Sequence, residues 1–175
     1  MVRRKKKNTS DSNSATNNYP IIKDADYELY TDGGQRIING NNIGAYAAYI
    51  HSNDPSEQVM IVGAEENTTN NRMELCGVIE GLASLPENST VNVYSDSQYV
   101  VYAFTKNWIA NWQKREFSNV KNKELWIALL DEVDKHKSVN FTWVKGHSSN
   151  DRNNLCDRLA TAAMYSIKKE EEINT

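Results

Sequence analysis

Cysteine is scarce: Cys76 and Cys156 are the only two in 175 residues, far apart and without the close spacing that holds zinc. Each sits inside an apolar helical pattern, which reads as a buried free thiol. Long hydrophobic runs are missing too. Nothing approaches the roughly 18 apolar residues that span a bilayer, and the charged N-terminus lacks the apolar stretch of a signal peptide. These absences lead us to expect a soluble, cytoplasmic protein, by default a monomer. No internal repeat is detectable. A basic body is also wanting. Of the 20 Lys and Arg, five crowd into Arg3, Arg4, Lys5, Lys6 and Lys7, so the remainder sets 15 basic against 23 acidic residues, a balance of −8. Nucleic-acid binders normally carry a basic footprint. An acidic body therefore has one of two meanings: carboxylates gathered around divalent cations or a solubilising surface.

What is present suffices for one core. A content of 39% hydrophobic and 9% aromatic residues suits a single compact domain, placed at residues 23–168. Residues 1–22, rich in Lys, Arg, Asn and Ser without apolar periodicity, are expected to form a disordered basic arm. That arm is either a solubilising tail or a weak electrostatic attachment to nucleic acid. Residues 169–175 are expected to be a polar, fraying tail.

Strands are predicted over 27–31, 44–50 and 58–63, and the short Gly-, Asn-, Asp-, Pro- and Ser-containing turns between them imply an antiparallel meander. A helix over 71–85 follows from Leu75, Ile79 and Leu82 at helical spacing, with Thr68 or Thr69 to cap it and Pro86 to stop it. Next come a strand over 90–95, helical stretches over 98–104 and 121–136, a strand over 139–144 and a helix over 152–167. This alternation favours parallel pairing through right-handed crossovers. The expected class is α/β: a five-stranded mixed sheet, three antiparallel strands extended by two parallel ones, flanked by helices.

Four carboxylates stand at the ends of elements where they could converge on one sheet edge: Asp32, Glu74, Asp96 and Asp157. Asp32 is expected to close the first strand, with Gly33 and Gly34 letting the backbone turn away, and Asp96 to close the fourth. Ligands of open sheets gather beyond the carboxyl ends of strands, near a change in connection sense. Singly, each aspartate is as well read as a turn former or helix cap. Together their contexts say more: Thr31-Asp32-Gly33, Thr68-Thr69-Asn70-Asn71-Arg72-Met73-Glu74-Leu75, Ser95-Asp96-Ser97-Gln98, Trp143-Val144-Lys145-Gly146-His147 and Cys156-Asp157.

In those five ordered motifs the sequence resembles the type 1 ribonuclease H family, over roughly residues 26–167. The resemblance implies a ribonuclease H-like fold with sheet order 3-2-1-4-5 and an endonuclease that cuts the RNA strand of an RNA–DNA hybrid, leaving 5′-phosphate and 3′-hydroxyl ends. It matches Asp32, Glu74, Asp96 and Asp157 to the family's metal-binding acids and His147 to its mobile loop histidine. Two Mg2+ ions are implied, with Mn2+ able to substitute: Asp32 between them, Glu74 and Asp96 on the leaving-group side, Asp157 on the side that prepares the water. A histidine can pass protons near neutrality or assist product departure. Recognition of the hybrid requires reading the RNA 2′-hydroxyl in the minor groove, and the resemblance implies Gly33, Asn70, Gln98 and Glu74 for this, with Thr69 and Asn71 near the DNA strand.

Between Lys106 and Lys123, the basic residues Lys114 and Arg115 interleave with Trp108 and Trp112, either as an edge gripping the DNA strand or with the indoles packed inward. This segment is shorter and less charged than the family's basic protrusion. The stretch after Asp32 departs from bacterial relatives by lacking a Pro/Gly-rich loop, and neither Asn39 nor Asn41 is assigned to the DNA phosphates. A silent hybrid-binding module, a nuclease for branched DNA and a segment of a reverse transcriptase polyprotein are the competing readings.

Overall fold

The computed structural model describes residues 21–54, 56–147 and 149–173, with side chains as far as Ile167. In chain order the elements are β1 (Tyr27–Ile38), β2 (Asn41–Ser52), β3 (Gln58–Glu66), α1 (Asn70–Ala83), β4 (Thr90–Ser95), α2 (Gln98–Thr105), α3 (Trp108–Gln113), α4 (Lys123–Asp134), β5 (Ser138–Trp143) and α5 (Asp151–Ile173). They build a five-stranded sheet of order β3-β2-β1-β4-β5. β1 to β3 pair antiparallel, whereas β4 runs parallel to both β1 and β5. This is the ribonuclease H-like arrangement.

Strand alternation decides the packing, because residues two apart share a face. One face presents Leu29, Ala48, Ile50, Val91, Val93 and Phe141 to Leu75, Val78 and Leu82 of α1, with Val100 of α2 and Leu129 of α4 in the same core. Trp126 lies fully buried there, and its Nε1–H donates to the Tyr99 hydroxyl at 2.9 Å, so the buried indole leaves no donor unpaired. The opposite face presents Tyr30, Ile43, Ala45, Ala47 and Tyr49 to Cys156, Ala160 and Met164 of α5.

Several boundaries differ from the sequence reading, and three of them matter most. β1 does not stop at Thr31: it continues to Ile38, paired residue for residue with β2 as far as Asn41, so Asp32 lies within a strand. Local rules read the two glycines as a turn, but pairing with β2 keeps the strand extended. At the chain start, composition groups Ile22 with the arm, yet its N–H donates to the Asn92 side chain at 2.9 Å and its carbonyl accepts from it at 3.0 Å. The rest of that arm lies outside the described residues, apart from Ile21. At the other end α5 runs to Ile173, through most of the expected polar tail, Lys and Glu being good helix formers. Thr69, not Thr68, caps α1, accepting from the Arg72 N–H at 3.3 Å.

Candidate active site

Register alone sets two acids side by side. The parallel ladder between β1 and β4 ends at Thr31 opposite Ser95, so Asp32 and Asp96 are each the next residue beyond the last pair. β1 then goes on with β2 as its remaining neighbour, which opens a notch where β4 leaves the sheet. Glu74 enters from α1. A side chain on Gly33 would have its Cβ 2.4 Å from the Met73 carbonyl carbon and 2.5 Å from the Glu74 nitrogen, so only glycine lets the helix approach this closely. Ligand atoms of Asp32, Glu74 and Asp96 all lie within 4.8 Å of one another, two of the three residues being buried.

Three carboxylates at that spacing, two of them buried, cannot all hold a negative charge comfortably. Burial first, then the charges of Asp96 and Asp157, pushes Asp32 up to about 8. Glu74 is driven well above the usual carboxylate range by burial and by Asp32 and Asp96. The Gly33 N–H opposes both shifts, and it donates to Asp32 Oδ1 at 3.0 Å. Among the described residues, the buried Glu74 Oε2 has no hydrogen-bond partner. A divalent cation fits these observations, since it supplies the missing partner and offsets the repulsion with the oxygen ligands it prefers.

Asp157 and His147 are placed differently from the three-acid cluster. Asp157 projects from the second turn of α5, is partly exposed, and stands close enough to raise Asp32, but it is not part of the cluster. His147 lies on the loop before α5 with its side chain 83% exposed and Nδ1 4.0 Å from Asp157 Oδ2. Its backbone has a φ of 49°, an uncommon conformation for a non-glycine residue.

Two residues that sequence reasoning missed shape the surroundings of Asp96. The buried Asn153 Nδ2 donates to Asp96 Oδ2 at 3.3 Å, tying the first turn of α5 to the cluster. A Cβ at Gly146 would fall 2.4 Å from that same oxygen, so this glycine makes room for the carboxylate. The i, i+4 spacing of Asn153 and Asp157 on a helix was the available signal.

The RNase H family model matches residues 24–165. Ribonuclease H of Thermoanaerobacter sp. (strain X514) is 45% identical over 152 residues, 83% of this chain and 91% of that protein. The chain belongs to the ribonuclease H family. Family membership makes it an enzyme, a hydrolase and nuclease of the ribonuclease H class. Ribonuclease H of Caldanaerobacter subterraneus subsp. tengcongensis is 46% identical over 149 residues, covering 82% of this chain and 94% of the relative. Among solved structures, a type 1 RNase H with the type 2 active-site motif superposes with a TM-score of 0.72 at 25% identity, covering 84% of this chain and 75% of that one. The N-terminal RNase H domain of a Mycobacterium tuberculosis protein gives 0.62 at 25% identity, covering 84% and 99%.

The other residues singled out from the sequence lie on several elements. Asn70 opens α1, and its Oδ1 accepts from the Gln35 N–H at 2.7 Å. Thr69 and Asn71 flank it, exposed, and Gln98 opens α2, also exposed. Lys114 and Arg115 are exposed just past α3. Both tryptophans pack inward. Trp112 meets Trp126 edge-on with ring centroids 5.0 Å apart, and Trp108 meets Tyr102 at 6.4 Å, each indole being half-buried against the core. Among the described residues no helix is long and apolar enough to cross a membrane.

Proposed function

We propose that the chain is a divalent-metal-dependent endonuclease that hydrolyses the RNA strand of RNA–DNA hybrids, leaving 5′-phosphate and 3′-hydroxyl ends. The observation that carries this is the spacing of Asp32, Glu74 and Asp96, close enough to share cations, with an unpartnered Glu74 oxygen buried among them. Those three side chains would hold the metal, and Asp157 would join them from α5. Bound there, a pair of Mg2+ ions, or Mn2+ in their place, supplies an activated water and neutralises the charge on the leaving 3′-oxygen.

The chain's own residues do the rest. Asn153 keeps Asp96 oriented, and Gly146 leaves room for it. His147, exposed beside Asp157, is assigned to move a proton at its imidazole nitrogen or to help the product leave. Gly33, Asn70 and Gln98 are assigned to the ribose hydroxyls of the RNA strand, with Thr69 and Asn71 towards the DNA. Lys114 and Arg115 are assigned to DNA phosphates, on a ridge that Trp108 and Trp112 support from below. We assign it as a monomer acting in the cytoplasm.

The test is cleavage of an end-labelled hybrid with and without Mg2+, alongside single-stranded RNA, RNA duplex, DNA duplex and branched DNA. Cutting confined to the RNA strand of the hybrid and abolished by a chelator is expected. Metal-independent cutting, or preference for branched DNA, would overturn the assignment.

A further inference from the structure

A cavity of about 190 Å³ opens beside the acid cluster, between β1 and α5, with Asp32, Gly34, Arg36, Asp157, Thr161 and Met164 among its lining residues. Two parallel progressions build it. Along β1 the register with β2 is unbroken, so Asp32, Gly34 and Arg36 share one face, and Arg36 stands roughly 13 Å beyond Asp32. Along α5, Thr161 follows Asp157 by four residues and lies on the same side, one turn further on. Both therefore lead away from the cluster in step, from carboxylates at one end to a guanidinium and a hydroxyl at the other.

Arg36 is the sole basic residue lining the cavity, and among the described residues it forms no ion pair, although two carboxylates line the same space. Strand and helix hold the opposite charges apart. A guanidinium offers paired N–H donors matched to phosphate oxygens, and a threonine hydroxyl adds another donor. The floor of Ala160 and Met164 is apolar and suits the carbon face of a sugar.

We propose that Arg36 and Thr161 grip a phosphate of the cleaved RNA strand, one or two nucleotides from the scissile link on the Asp157 side. This subsite rests on the hybrid-cleaving function proposed above. It would give the acidic body a strand-specific anchor that does not depend on the bound cations.

The test measures binding by fluorescence anisotropy, using the full chain with Asp32→Asn to halt cleavage, against a hybrid and a series carrying one neutral methylphosphonate at each RNA phosphate in turn. One or two adjacent positions are expected to weaken binding roughly fivefold to tenfold. Arg36→Gln should weaken binding to the unmodified hybrid by a similar factor, remove the sensitivity at those positions alone, and lower the salt slope by about one. Gly34→Ala places a methyl group 3.5 Å from Met164 Cε, an ordinary contact, and narrows the cavity without moving backbone; it should give a smaller loss at the same positions. Lys135→Gln, on the far side at the end of α4, should change nothing. Retained sensitivity at every RNA phosphate in Arg36→Gln, or coupling only to the DNA strand, would overturn the subsite. Failure of the unsubstituted chain to cut hybrids would instead sink the function beneath it.

Discussion

Leu29 and Asp32 lie three residues apart on β1, both buried, yet the strand turns them to opposite faces and to opposite ends of the stability scale. Leu29 points into the apolar core under α1, where burial stabilises the fold. Asp32 points towards α5 among acids that repel it. The same backbone thus carries a region that holds the protein together and a region that strains it. The acid notch is tolerated because the opposite core is large enough to hold it, and because cation binding to the folded state shifts the balance back.

Asp32→Asn should separate the two regions most sharply. Its side chain keeps an oxygen for the Gly33 N–H but loses the charge, so hybrid cleavage in Mg2+ should fall by roughly a thousandfold or more. Thermal melts of the metal-free variant should show a melting temperature at or above that of the parent. A stable variant that still cuts at the parental rate would erase the contrast.

Trp126→Ala attacks the other region. Removing a fully buried indole should lower stability by about 3–5 kcal/mol in denaturant titrations. Cleavage per folded molecule should stay within a few fold. Activity lost at full stability would mean that this core reaches the site by more than support.

The smallest effect is one of pH. Asp32 is raised in the folded chain from 3.8 to about 8, so the unfolded state gives up its proton first. The stability due to this group is complete below about pH 4 and is lost as the pH rises through about 8. Melts in chelator should accordingly show a falling melting temperature from pH 5 to 9, with the slope reduced in Asp32→Asn and by saturating Mg2+. A metal-free protein that gained stability over that range would contradict the electrostatic account of the notch.

Local rules made much of the fold legible. Leu75 and Leu82 at helical spacing gave α1, and the span read as β4 is matched to the residue. Where local rules compete with pairing they misled: Gly33 and Gly34 read as a turn, but twelve consecutive partners in β2 keep them in the strand. The tryptophans of α3 carry two local readings, and their packing, Trp112 on Trp126 and Trp108 on Tyr102, depends on rings outside α3. Asn153 went unnoticed because its meaning lies in a contact with Asp96, 57 residues away.

By itself, the sequence determined the elements other than α3, their order, and the acids available for a metal, since periodicity, turn chemistry and short motifs act over a few residues. Tertiary structure alone decided that Asp32, Glu74 and Asp96 come within reach of one cation while Asp157 stands partly exposed beside them, and that Arg36 and Thr161 line one cavity. Those distances follow from strand register and from how closely two helices approach the sheet, and both are set by packing between segments remote in the chain.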